Sequence, residues 1–488
     1  MRRIRPWLGR LYSREGFRGP VVTLLSGTAI TLVISYLTVP ILTRLFTPEE
    51  FGISDYFVMI MSILITFSSL RYEDAILLPR EDRDAGAVFW LAILLTGLTV
   101  VLTLVVAFWR LEIASFLRVD AVGPYLWLVP PTLLLMRFAK LSEVWLSRFK
   151  SFRTITAGEV VNKITMLSSR VGAGAATNLG AGGLVGGFVA AHVASAAYYL
   201  VALKRGAGKR LAGTFDTAAL LRVARRYRRF PAYSTPAAAM NAAVARLPVL
   251  LLPIYFSLEA VGLFGRAFVA LAVPLSLIGT AISQVFFVHA AEANRDHRLA
   301  AFTRTVHARL VMIGMFPTLM LIAVGPELFT FVFGAEWRTA GVFEQYLAAW
   351  FFAGGVASPL TRLFDVLERQ RTELLISLTT FLALSTALVI GGRTGSILLT
   401  MGLMSLAGVL VRVMHIYTMM RLASVPGRET LAPYLKYAAL SIPFVIPAYA
   451  VRQIFPLWGV AITATAGGLI YLALVVWRER LLPSAQSE

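Results

Sequence analysis

The residues best placed to do chemistry in this chain are cations set inside apolar runs. Arg246 lies near the centre of the apolar run 231–256, within Asn241-Ala242-Ala243-Val244-Ala245-Arg246-Leu247-Pro248. If such a run crosses a membrane, a cation at its middle costs at least about 2.5–3.5 kcal/mol and by default marks a pathway or a site. A long arginine can reach the interface from a helix end, but poorly from the centre. Arg246 therefore reads either as an anion-binding group or as half of a structural ion pair with an acid on another helix. The run 154–177 carries Glu159, Lys163 and Arg170. Spacings of four and seven put all three on one helical face. Glu159 and Lys163 are spaced to pair along the helix, and Arg170 lies deeper, among Ser168 and Ser169. The run 122–146 holds Arg137 and Lys140 about one turn apart, with Glu143 following; Arg266 lies near the start of the run 260–288. Arg362 with Asp365, and Arg412 with His415, sit near run ends, where solvation explains them.

The deep charges are mostly positive. Low-dielectric walls strengthen the pull of such a lining on an anion, and the planar guanidinium fork suits phosphate. A phosphate-bearing cargo is the expectation. The substrate-binding candidates are Arg246, Arg170, Arg137, Lys140, Lys163 and Arg266, joined by Tyr36, which the repeat described below aligns with Arg246. Glu159, Glu143, Glu73 and Asp365 are candidates for coupling or ion pairing.

Other chemistries lack their residues. No G-x-x-x-x-G-K-[ST] loop occurs; Gly206-Ala207-Gly208-Lys209-Arg210 lacks the first Gly and the Ser/Thr, so a phosphate-cradling ATPase loop is not expected. The five His show no H-x-x-x-H spacing and there is no Cys, so neither a metal site nor a disulfide is expected, and no cofactor is implied. The outward loops are too short to build a sugar polymerase site.

What must position these cations is a set of membrane helices. The chain is 58% hydrophobic and 15% charged over 488 residues, where a soluble protein carries about 25% charged. Apolar runs of about twenty residues match the roughly 30 Å of hydrocarbon crossed by one helix. They predict about fourteen spans: 20–45, 52–78, 86–108, 122–146, 154–177, 182–203, 231–256, 260–288, 305–333, 341–366, 372–392, 395–420, 432–452 and 456–477. The basic N-terminus resembles a signal sequence, but the span after it is too long and lacks a cleavage site, so it reads as a retained first helix. Alternate connections hold about 29 Lys and Arg against about 6 in the opposite set. By the positive-inside rule both termini face the cytoplasm, and the net charge of +20 reflects topology, with no nucleic-acid partner implied.

The basic stretch 204–230 divides the runs into six and eight. Phe46-Thr47-Pro48-Glu49-Glu50-Phe51-Gly52 after the first run matches Phe256-Ser257-Leu258-Glu259-Ala260-Val261-Gly262 after the seventh, at an offset of 210. A duplication at equal topological places predicts two parallel six-helix lobes. The expected organisation is an N-terminal lobe over 1–203, a cytoplasmic basic linker over 204–230, a C-terminal lobe over 231–421, and two additional helices with a tail over 422–488.

The segments Pro40-Ile41-Leu42-Thr43-Arg44-Leu45-Phe46-Thr47-Pro48-Glu49-Glu50-Phe51-Gly52, Leu70-Arg71-Tyr72-Glu73-Asp74-Ala75-Ile76-Leu77-Leu78-Pro79 and Gln284-Val285-Phe286-Phe287-Val288-His289-Ala290-Ala291-Glu292 carry a resemblance. The chain resembles the Wzx-type flippases of O-antigen and exopolysaccharide synthesis, within the multidrug/oligosaccharidyl-lipid/polysaccharide exporter superfamily. The resemblance implies an all-α fold with two pseudo-symmetric lobes around a central cavity. It implies a cargo of undecaprenyl-diphosphate-linked oligosaccharide, flipped to the periplasmic leaflet of the bacterial inner membrane. Membrane lipids are the other expected partners, and the polysaccharide polymerase and export machinery are candidates. The lipid II flippases of the same superfamily also have fourteen spans, but their first-helix arginine pattern has no counterpart here: no charge lies between Gly19 and Thr43. Cation-coupled drug exporters of the superfamily use acidic groups within helices, and here the deep excess is cationic.

Overall fold

A computed structural model describes residues 38–211, 213–367, 369–455 and 457–479. Of the first expected span only 38–45 fall within this range, and they are helical; the rest of that span, with Tyr36, lies outside the described residues. Among the described residues there is no strand. In hydrocarbon every backbone N–H and C=O must be bonded within the protein, which an isolated apolar segment achieves only as a helix.

The second to sixth runs form α1 (Pro48–Ser68), α2 (Asp82–Val106), α3 (Val129–Arg148), α4 (Phe152–Ala176) and α5 (Ala181–Arg205). A short helix inside the basic stretch follows, α6 (Thr217–Arg226). The seventh to tenth runs form α7 (Thr235–Tyr255), α8 (Leu258–Arg295), α9 (Leu299–Phe333) and α10 (Arg338–Leu360). The last four form α11 (Gln370–Arg393), α12 (Ile397–Leu422), α13 (Gly427–Val451) and α14 (Leu457–Arg478). Nine helices among the described residues are long and apolar enough to cross a membrane, or ten with the bent α7 counted as one span. α3, α4 and α8 fall outside that set; in α3 and α4 charged and hydroxyl side chains dilute the apolar run. The protein is a multi-pass, all-α membrane protein.

The chain folds as two compact units that divide in sequence between Ile254 and Tyr255. In the first, Phe57, Met61, Val129, Leu133, Val185 and Phe188 join α1, α3 and α5. A second cluster holds Tyr72, Ile76, Phe89, Trp145 and Tyr199 together with Leu211, Ala219, Leu220, Val223 and Tyr227. The 204–230 stretch is thus not a bare connection. Asp216 caps α6 by accepting from the Ala218 N–H at 3.1 Å, one face of α6 enters the core, and its arginines stay outside.

The repeated motif has a local cause. Thr47 and Glu50 close a capping box at the start of α1: the Glu50 carboxylate accepts the Thr47 N–H at 2.8 Å, and the Thr47 hydroxyl accepts the Glu50 N–H at 3.3 Å. Pro48 occupies the first turn, where its missing N–H costs nothing. At the start of α8, Ser257 accepts the Ala260 N–H at 3.2 Å. Both copies of the motif therefore start a long helix.

In the second unit, Phe286, Phe316, Phe352, Phe364, Met419, Tyr437 and Tyr471 build one core from α8, α9, α10, α12, α13 and α14. The last two helices lie on α9: Tyr471 donates to the Met312 carbonyl at 2.8 Å and its ring stacks on Phe316.

Candidate functional site

Two kinds of polar group sit among the first unit's helices. The first is a closed network. α1 ends at Ser68, and the backbone enters the left-handed region at Leu70 (φ 50°) and Arg71 (φ 63°), a conformation unfavourable for side chains with a Cβ. That reversal turns the 3-10 segment Tyr72–Leu77 back onto the helices, with Glu73 facing inward. Arg137 of α3 meets it at 2.9 Å, and the pair is only 3% and 5% exposed. The Arg137 Nε donates to the Ser68 hydroxyl at 2.9 Å, and Nη2 donates to the Ile65 carbonyl. The second Glu73 oxygen accepts from the Ser69 hydroxyl. A buried ion pair needs further hydrogen bonds to offset its desolvation, and here α1 and the turn supply them, so that every Arg137 nitrogen and both Glu73 oxygens are bonded.

The neighbours of Glu73 are turned to other uses. Tyr72 donates to the Ala224 carbonyl of α6 at 3.1 Å. Arg71 pairs with Asp74 at 2.8 Å; burial pushes the Asp74 carboxyl up from its ordinary value, and the Arg71 charge pulls it back down. Arg148 at the end of α3 binds Asp82 at 3.0 Å and the Pro79 and Arg80 carbonyls at 2.7 and 3.0 Å.

The second kind is a set of cations, two on α4 and one on α7. Arg170 lies half-buried with its Nε donating to the Leu184 carbonyl at 3.1 Å. Its stem rests where Gly187 of α5 leaves room; a Cβ there would lie 2.5 Å from the Arg170 Cγ. Asn162, on an adjacent face, donates to the Ala191 carbonyl at 3.1 Å. Lys163 is half-buried and makes no hydrogen bond or ion pair among the described residues; in particular, Glu159 and Lys163 do not close the pair their spacing allows. Arg246 is half-buried midway along α7, again with no ion pair among the described residues.

The other expected residues are dispersed. Lys140 pairs with Glu143 at 2.7 Å on an exposed face. Arg266 is half-buried on α8. Arg362 pairs with Asp365 at 3.0 Å and reaches Ser283 at 3.3 Å. Arg412 lies 3.5 Å from His415. Sequence reasoning placed Arg137 beside Lys140; the structure gives it Glu73 instead. It also passed over Glu344 of α10, whose carboxyl is fully buried with neither oxygen hydrogen-bonded. A lone acid inside Phe343-Glu344-Gln345-Tyr346, well within an apolar run, was the signal for it. No group of three or more potential metal ligands occurs among the described residues.

Three comparisons bear on this arrangement. The family described as polysaccharide biosynthesis protein matches residues 41–341, a range that takes in the capping-box, Glu73 and 284–292 segments. No curated protein sequence matches the chain. Among solved structures, the chain is similar to the lipid II flippase MurJ in its inward closed conformation, with a TM-score of 0.72 at 12% identity, covering 94% of this chain and 99% of that one. At that identity the likeness speaks for the fold alone.

Proposed function

We propose that this chain, which belongs to the polysaccharide biosynthesis protein family, flips undecaprenyl-diphosphate-linked oligosaccharide from the cytoplasmic to the periplasmic leaflet of the bacterial inner membrane. It acts as a transporter for surface polysaccharide synthesis, with no covalent step. The observation that carries the reading is Arg246. It is a cation at the middle of a spanning helix with no carboxylate partner among the described residues. A charge at that depth needs water, a counter-ion or a cargo to meet it, and a diphosphate offers the fork-shaped contact arginine makes best. Lys163 on α4 is a second cation of the same kind, and Arg170 beside it is already held to a carbonyl. Pro248 and Pro253 within α7, and Pro274 within α8, are points where these helices can bend during alternating access. The Lys and Arg asymmetry puts both termini and the 204–230 stretch in the cytoplasm. Because the chain has no Cys, a single Cys at position 216 tests this by labelling from either side.

The functional test measures polymer export and membrane protein level in the same cells. Arg246→Ala should abolish export at normal abundance, and Arg246→Lys, which keeps charge but loses the fork, should retain part of it. Normal export by Arg246→Ala at normal abundance overturns the reading. A second reading, flipping of lipid II, draws on the fold likeness to MurJ. Restoring growth to cells depleted of their lipid II flippase, without restoring surface polysaccharide to cells lacking theirs, would select it.

A further inference from the structure

The second unit holds a cavity of its own, lined by none of the residues assigned above to the cargo. α9 runs unbroken from Leu299 to a kink at Val324, roughly 37 Å at 1.5 Å per residue. Only about 30 Å of that lies in hydrocarbon, so the first turn of α9 stands at headgroup level, at the end read as cytoplasmic, and long side chains on the next turns reach that level. There a cavity of about 460 Å³ opens between α9, α13 and the end of α14. Its floor is apolar: Met312, Pro433 and Tyr437 are buried. Three cations and two carboxylates line it: Arg304, Arg309, Lys436, Glu429 and Glu479. Both carboxylates are already matched. Arg304 holds Glu429 at 2.8 Å and Lys436 holds Glu479 at 2.5 Å, while the Tyr437 hydroxyl donates to Glu479 at 3.2 Å. The Lys436 hydrogen bond keeps the Glu479 carboxyl below its ordinary range, and so ionised at neutral pH. That leaves Arg309 exposed, with no ion pair or hydrogen bond among the described residues. Next to the cavity on α13, Leu431 and Leu435 are 57% and 64% exposed.

A surplus cation over an apolar floor, flanked by exposed leucines at headgroup depth, matches a molecule with a phosphate at one end and hydrocarbon at the other. We infer that this cavity binds an anionic phospholipid of the cytoplasmic leaflet, its phosphate on Arg309 beside Arg304 and Lys436 and its acyl chains along Leu431 and Leu435. The two C-terminal helices then supply a lipid site that uses none of the residues assigned to the cargo. A soluble phosphate would gain nothing from the leucines, and a neutral headgroup nothing from the extra charge.

The test uses the full chain, purified and returned to nanodiscs of phosphatidylcholine with a minor share of phosphatidylglycerol, with retained lipid counted by native mass spectrometry. Wild type should retain phosphatidylglycerol over phosphatidylcholine. Arg309→Ala should lower that retention by on the order of tenfold, as expected for one charge-assisted contact. Ala432→Trp, which fills the mouth of the cavity, should lower it as well. Polymer export by both variants, measured in parallel, keeps this inference separable from the flippase reading. Equal retention of the two lipids, or an Arg309→Ala protein that retains phosphatidylglycerol like wild type, overturns the inference. So does complete displacement of phosphatidylglycerol by inorganic pyrophosphate, which would make the cavity a site for a free diphosphate or the cargo's.

Discussion

Arg137 and Arg246 are the same residue type, each near the middle of a helix in one unit, and they have opposite surroundings. Each of the three Arg137 nitrogens already makes a hydrogen bond, to Ser68, Glu73 and Ile65. A ligand could reach it only by breaking a network that joins α1, a strained turn and α3. Arg246, like Lys163, has no such set among the described residues. Burial and charge alone therefore do not mark a site; what separates a strut from a binding group is whether the protein has already supplied its counter-charge.

That contrast can be broken most sharply at Glu73. Glu73→Ala leaves Arg137 buried and unpaired, at a cost of about 3–5 kcal/mol; membrane protein level should collapse. Replacing Arg137 by Met as well should restore much of it, because removing both charges of a buried pair is often nearly neutral. If Glu73→Ala accumulated normally and lost only export, Arg137 would belong with the cargo-facing cations. Lys163→Ala should behave in the opposite way, with normal abundance and export reduced several-fold; a fall in abundance equal to the fall in export would class Lys163 with Arg137. A smaller effect is expected at Thr47→Ala, which removes the α1 cap and should cost about 1 kcal/mol, visible as a lower melting midpoint with export intact. Least of all, Lys140→Ala breaks an exposed pair with Glu143 worth about 0–1 kcal/mol, and neither abundance nor export should change measurably.

The helices were readable in the chain because the bilayer imposes one length and one satisfied backbone on each span; the second run is the exception, its helix ending at Ser68 and the expected remainder to 78 turning back through Leu70 and Arg71. The partner of Arg137 was not readable. Glu73 lies 64 residues away, and only the left-handed turn at Leu70 and Arg71 aims it inward. The motif around Thr47 was visible as a repeat, yet its meaning as a helix cap appears only with the hydrogen bonds drawn. α6 was hidden by its own charge: Ala219, Leu220, Val223 and Tyr227 have helical spacing, but the surrounding arginines made the stretch look like a loop. Glu344 went unseen for the converse reason, a single acid averaged away by its apolar neighbours.

The seat of α6 also bears on how the chain is made. Leu211, Ala219, Leu220, Val223 and Tyr227 share one cluster with Tyr72, Phe89, Trp145 and Tyr199. During synthesis, the helices up to α5 can be inserted while Tyr72 and Trp145 still lack part of their cover, and only when Tyr227 has left the ribosome can that cluster close. A fragment stopped at 203 ends before the last five of these side chains, whereas one stopped at 254 keeps them all. The basic stretch between the two sets of spans is therefore the closing piece of the first folding unit, and the sequence position where a lobe seems to end is not where it becomes stable.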